Sequence, residues 1–232
     1  MPAQQLTSSF HRLVLGVWQA YLWRDDDGVT LIDTGAADAG SDLAAALDQV
    51  GLAPTDVNRV VLTHFHDDHS GGAAEVREWG DIEIIAHAAD APIIRGDVVG
   101  PLPNFTDAER VLHNRVAAGL APAPPVEVDR EVQDGDVLDF AGGAHVLAVP
   151  GHTDGSIALH LPQHGVLLTG DAVAEHLGKV VLGVFNLDTD LAATSMQRLA
   201  DLDVEIAAFG HGEPVLHNAQ ARLRHAIDVL TG

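Results

Sequence analysis

The chain of 232 residues contains no cysteine. That absence removes disulfides, cysteine-ligated zinc and thiol catalysis together. Basic residues are scarce too: 12 lysines and arginines stand against 34 aspartates and glutamates, a formal net charge of −22. A charge of that sign works against binding a polyanion, so neither nucleic acid nor an anionic membrane surface is expected as a partner. No apolar run reaches the length of a membrane span. The opening MPAQQLTSSFHRLVLGVW lacks the basic start, long apolar stretch and small-residue cleavage site of a secretory signal, and a cytoplasmic location is the resulting expectation.

What the chain has is acid, histidine and short apolar runs. Most of the acid is expected to solvate the surface. With 14 histidines and no cysteine, imidazole is the nitrogen or sulfur ligand left for a transition metal. At 47% hydrophobic, the chain can bury one sizeable core, and a single domain over 1–232 is expected. Runs rich in Val, Ile and Leu alternate with helical periodicity, the pattern of mixed sheets covered by helices. Strands are expected at 29–33, 57–63, 82–86, 145–149, 157–161, 166–169 and 204–209. Helices are expected at 41–50, 73–79, 106–118, 191–202 and 217–230, with Ser41 and Thr106 as N-caps. The Asp27-Gly28 pair, between two strand-like runs, suits a hairpin turn. The segments 92–104 and 121–125 read as an insertion between two halves.

The strongest motif is Thr63-His64-Phe65-His66-Asp67-Asp68-His69, which places three imidazoles and a carboxylate within six residues directly after a Val/Leu strand. Holding neighbouring imidazoles in one loop costs conformational freedom and needs a partner, which a divalent cation supplies. Three further strand ends each place a potential ligand beside glycine: Pro150-Gly151-His152-Thr153, Leu168-Thr169-Gly170-Asp171 and Phe209-Gly210-His211-Gly212. Glycine lets the backbone turn sharply at such points.

In these motifs, taken in order from LIDTG at Asp33 to FGHG at His211, the chain resembles the metallo-β-lactamase superfamily, with glyoxalase II-like metal-binding motifs. The resemblance implies an α/β (α+β) fold, a four-layer αββα sandwich. It implies that His64, His66 and His152 bind a first metal and Asp68, His69 and His211 a second, with Asp171 bridging. Asp33 would support the ligand loops by hydrogen bonding. Asp67 sits at the family's variable position.

Imidazole and carboxylate donors suit two divalent ions, zinc above all, with iron or manganese also accommodated. The expected chemistry is hydrolysis by a bridging hydroxide, oriented by the catalytic carboxylate of Asp68. Asp171 stands where zinc β-lactamases carry Cys or Ser, which directs the reading to a small ester, thioester or lactone. The tyrosine that acyl-homoserine lactonases use close after the bridging Asp has no counterpart, since the one tyrosine is Tyr21. A mononuclear iron enzyme resembling the persulfide dioxygenases, a phosphodiesterase and a non-catalytic metal-binding protein stay open as alternatives. Trp18, Trp23 and Phe185 are candidate apolar walls for a small-molecule substrate, and His176 a candidate proton donor, each weighed against an ordinary core or surface position.

Overall fold

A computed structural model describes residues 3–26 and 28–232; Asp27 of the expected hairpin turn lies outside the described residues. The chain divides into two compact units. Met1–Val99 and Gly119–Val132 form the first, and Gly100–Ala118 and Gln133–Gly232 the second. No helix among the described residues is long and apolar enough to cross a membrane.

The first unit is a seven-stranded sheet in sequence order: β1 (Ala3–Gln5), β2 (Phe10–Leu15), β3 (Trp18–Arg24), β4 (Val29–Ile32), β5 (Val57–Val61), β6 (Glu83–His87) and β7 (Arg130–Val132). Short connections make β1 to β4 antiparallel, and longer crossovers make β4 to β7 parallel. The crossovers carry α1 (Gly40–Gln49), α2 (Asp67–Ser70), α3 (Ala73–Arg77) and α4 (Ala91–Ile94). Every residue of β4 is buried, as a parallel strand covered on both faces requires. Helix α1 turns Gly40, Leu43, Ala46 and Leu47 inward at helical spacing. The apolar side chains among them join one core with Leu13, Leu22, Leu31 and Val60. Ser41 is not its N-cap: the helix begins at Gly40, whose amide donates to Glu75 Oε2 of α3 at 3.1 Å. A carboxylate brought in by tertiary folding therefore replaces the local cap expected from the sequence.

The second unit opens with α5 (Asp107–Val116). Its Thr106 cap is as expected: Thr106 Oγ1 accepts from Glu109 N, and Glu109 Oε2 accepts from Thr106 N. A five-stranded sheet follows, in the order β14-β11-β10-β9-β8, from β8 (Val137–Leu138), β9 (Ala144–Ala148), β10 (Ile157–Leu161), β11 (Val166–Leu168) and β14 (Ile206–Ala208). A separate hairpin pairs β12 (Val173–His176) with β13 (Lys179–Leu182). Helices α6 (Thr189–Ala200) and α7 (Ala219–Thr231) bury Met196, Leu199 and Leu223 in one cluster with Ala158, Leu167 and Ala207 of the sheet. α6 starts two residues before the expected position because Asp188 caps it, accepting from Leu191 N at 2.9 Å.

Candidate metal centre

In the first unit, β4 and β5 run parallel and end side by side, so the chain leaves both at one edge of the sheet. Asp33 follows β4 with φ of 59°, a left-handed backbone that aspartate tolerates better than most residues. That twist lets the buried carboxylate accept three hydrogen bonds. Thr63 N donates to Oδ1 at 2.8 Å, and Thr63 Oγ1 and His69 Nδ1 donate to Oδ2 at 2.8 and 2.9 Å.

These bonds fix the tautomers of two histidines. With its proton given to Asp33, Thr63 Oγ1 accepts from His64 Nδ1 at 3.1 Å, and the lone pair of His64 then lies on Nε2. His69 gives its Nδ1 proton to Asp33, which puts its lone pair on Nε2 as well. His64 Nε2 is 3.0 Å from His66 Nδ1, and His69 Nε2 is 3.7 Å from Asp68 Oδ2. One buried carboxylate thus presents two unprotonated ring nitrogens, each beside a second donor atom. Such separations match donors sharing a divalent ion through bonds of about 2.0–2.2 Å.

The loop bearing these ligands folds tightly because its glycines permit it. A Cβ on Gly71 would run into the backbone of Ala37 and Asp67, and one on Gly72 into Thr34. Thr34 N and Oγ1 both donate to His69 O. Two further acids, neither of them among the expected ligands, act here. Asp90 Oδ2 accepts from Phe65 N at 3.0 Å, between His64 and His66. Asp67 Oδ1 accepts from Ala123 N at 2.7 Å, tying the proline-rich 121–125 stretch to the ligand loop. Neither shows a local signal, since each partner lies 25 or more residues away in sequence.

In the second unit, three turns bring His152, Asp171 and His211 together. Asp171 Oδ2 is 3.1 Å from His211 Nε2 and 3.7 Å from His152 Nε2, so one carboxylate oxygen faces two imidazoles. His152 is buried, whereas His211 is partly exposed. Gly151 has φ of 125°, and a Cβ there would collide with Ala192 at the start of α6. Beside Asp171, a Cβ on Gly183 would strike its carbonyl, and one on Gly212 would strike Glu175 O. The loop 183–188 is tied to both ligand turns: Gly183 N donates to Ala172 O, Leu187 N to His152 O and Asp188 N to Gly151 O, at 2.9 to 3.3 Å. His64, His66, Asp68, His69, His152, Asp171 and His211 all belong to groups of ligand atoms able to hold a metal ion.

Other candidates have different surroundings. Trp23 is core, its ring tilted against Phe10 with centroids 5.8 Å apart, and it donates to Asp25 Oδ1. Trp18 packs against the first unit's core. His176, at the end of β12, is exposed.

Helix-bearing sheets with His and Asp turns at their strand ends define a metal-binding α/β protein. The family model of the metallo-beta-lactamase superfamily matches residues 16–211, and the chain belongs to that superfamily. It is 32% identical over 173 residues to a probable metallo-hydrolase, YflN, of Bacillus subtilis, covering 67% of this chain and 64% of that one. It is 33% identical over 146 residues to the acyl-coenzyme A thioesterase MBLAC2 of Gallus gallus, covering 61% and 50%. The chain thus spans between half and two thirds of these curated relatives. Among solved structures, a metallo-beta-lactamase family protein from Thermus thermophilus superposes with a TM-score of 0.72 at 26% identity, covering 98% of this chain and 81% of that one. The subclass B3 metallo-beta-lactamase BJP-1 of Bradyrhizobium japonicum, at 18% identity and a TM-score of 0.71, covering 100% and 91%, shares the fold. The fold is the metallo-β-lactamase fold expected from the motifs.

Proposed function

We propose that the protein is a dinuclear metal-dependent hydrolase of a small ester, thioester or lactone, and that its two units act together as one catalytic domain. His64, His66 and His152 would hold the first ion, and Asp68, His69 and His211 the second, with Asp171 as a ligand common to both. Zinc fits the nitrogen and carboxylate donors, which also accommodate iron or manganese. When bound, a pair of such ions supplies Lewis acidity and lowers the pKa of a shared water towards neutrality.

The chain's own residues do the rest. Asp33 and Thr63 keep protons off Nε2 of His64 and His69. Asp68, whose Oδ2 lies 3.7 Å from His69 Nε2, would orient the attacking water through its carboxylate. The observation that carries the reading is the tautomer control by Asp33, because an ordinary polar turn gains nothing from holding two imidazole lone pairs outward. The acyl preference is supported by Asp171 at the bridging place, by the thioesterase among the relatives, and by a formal charge of −22, which disfavours polyanionic substrates.

The test is metal content measured on the same preparation as a panel of ester, thioester, lactone and phosphodiester substrates, with His66→Ala as the control. About two zinc ions per chain with acyl hydrolysis lost in the variant supports the reading. One iron per chain with oxygen uptake, or turnover of phosphodiesters alone, contradicts it.

A further inference from the structure

Helix α5 and the loop 183–188 share a feature that the metal chemistry leaves unexplained. Phe185 has φ of 61°, a left-handed backbone region that strains an aromatic residue. Nothing in the hydrogen bonding of the loop to the ligand turns calls for a phenylalanine there. The ring meets two others: Phe105 edge-on at 6.0 Å between centroids, and His113 edge-on at 5.2 Å, with Phe105 and His113 themselves 4.7 Å apart. Arg110 lies over the Phe105 ring at 5.0 Å. All three rings are only partly buried.

The segment 100–118 is fastened to this loop. Asn104 N donates to Asn186 O at 3.0 Å and Asn104 Nδ2 to Leu187 O at 2.5 Å, while Glu109 Oε1 accepts from Phe185 N at 3.3 Å. Yet none of the ten residues of α5 is fully buried, and Leu102 and Val111 stand 81% and 72% exposed. A helix with no buried residue adds little to a core. Its polar fastening places Phe105 and His113 against the ring of Phe185, two residues from Leu187, whose amide donates to the carbonyl of His152.

We infer that Phe105, His113 and Phe185 form the wall against which the hydrophobic acyl chain of the substrate lies, so that the insertion makes the enzyme selective for medium-chain over short-chain acyl groups. This rests on the hydrolase reading above. Rings that are partly exposed beside the ligand turns offer an apolar surface, and the ring of Phe185 lies on the α5 side of the loop, against Phe105 and His113. Each methylene buried against such a wall is worth about fourfold in binding. Three or four methylenes at partial burial therefore give a preference of about 10- to 50-fold for an octanoyl over an acetyl ester.

The experiment compares kcat/KM for p-nitrophenyl acetate, butyrate, octanoate and decanoate in the wild-type protein, Phe105→Ala and Phe185→Gly. Glycine adopts the backbone of position 185 without strain, so that variant keeps the loop while removing the ring. Decanoate binding to the zinc-loaded proteins is measured in parallel by calorimetry. The octanoate-to-acetate ratio is expected to fall about tenfold or more in both variants, with a matching loss of decanoate affinity. Ester hydrolysis with a ratio within about twofold of wild type in both variants overturns the wall and leaves the hydrolase intact. No turnover of these esters or of the matching acyl thioesters and lactones, together with decanoate binding weakened about tenfold or more in both variants, sinks the hydrolase reading while the apolar site stands.

Discussion

Asp33→Asn tests how the ligand geometry is held. The substitution keeps the side chain's size and its tolerance of the left-handed backbone at φ 59°, but replaces one carboxylate oxygen by an amide donor. The remaining side-chain oxygen still accepts from Thr63 N. The new amide nitrogen then faces Thr63 Oγ1 and His69 Nδ1, which both donate to Asp33 in the native protein at 2.8 and 2.9 Å. The threonine hydroxyl can rotate and accept. His69 must move its proton from Nδ1 to Nε2 or break the contact, and a proton on Nε2 blocks the atom assigned to metal. Two hydrogen bonds to a buried charged acceptor are lost or inverted, at about 1.5–3 kcal/mol each. Relief of the carboxylate's own burial offsets part of this, leaving about 2–4 kcal/mol of stability lost. Zinc affinity should fall about 10- to 100-fold, as for other partners that orient metal-binding histidines. Urea unfolding of the metal-free protein and competition with a chromophoric zinc chelator read the two effects separately. A variant that binds zinc within about twofold of wild type would refute the tautomer argument, whatever its stability.

Other perturbations address other parts of the structure. Gly151→Ala drives a Cβ into the backbone of Ala192 at φ 125° and should cost about 2–4 kcal/mol in chemical unfolding, with loss of metal at His152; an unchanged midpoint would mean that the turn relaxes freely. Leu43→Ala, at a fully buried position of α1, should lower stability by about 2–5 kcal/mol with little change in metal content, and the same two assays check it. Burial first, and His145 second, hold the His160 pKa below its usual value of 6.5. A lowered histidine pKa means the unfolded chain binds the extra proton, so this group's contribution is fully present above pH 6.5 and is lost as the pH falls towards the folded pKa. His160→Gln should therefore flatten the fall in stability below pH 6.5, and an unaltered slope would contradict this. Burial works to raise the Glu109 pKa, but hydrogen bonds from Thr106 and Phe185 outweigh it and hold the carboxyl below 4.5. That contribution is present above pH 4.5 and lost as the pH falls through the lower folded value; Glu109→Gln should remove it from the acid limb of the unfolding curve.

The parts of the fold carried by local pattern were readable in advance. The apolar runs of β5, β6, β9 and β10 and the stripe of α1 stand within a few residues of their expected positions, because each buries its own hydrophobic face. The Thr106 cap was readable for the same reason, its capping box being complete within four residues. The strands β1 to β3 were less visible: Phe10–Leu15 and Trp18–Arg24 mix Arg, Gln and His with apolar residues, and their pairing rather than their composition fixes them. The start of α1 escaped because its cap, Glu75, comes from another helix.

In the site, the seven proposed ligands announce themselves by residue type and by the glycines beside them. The groups that orient them do not. Asp33 is visible as a motif, but its three simultaneous bonds depend on a left-handed backbone that no spacing reveals. Asp90, Asp67 and Asn104 act on partners 25, 56 and 83 residues distant. The insertion was legible as an interruption, whereas its attachment to Phe185 follows from side-chain contacts alone.

The central claim is a pair of ions held by seven side chains, and the metal stoichiometry of the purified protein tests it most directly. Elemental analysis after dialysis against micromolar zinc should give about two zinc ions per chain in the wild type and at most one in Asp171→Ala. A wild-type protein that retains a single ion, or binds two equally well without Asp171, would contradict the account.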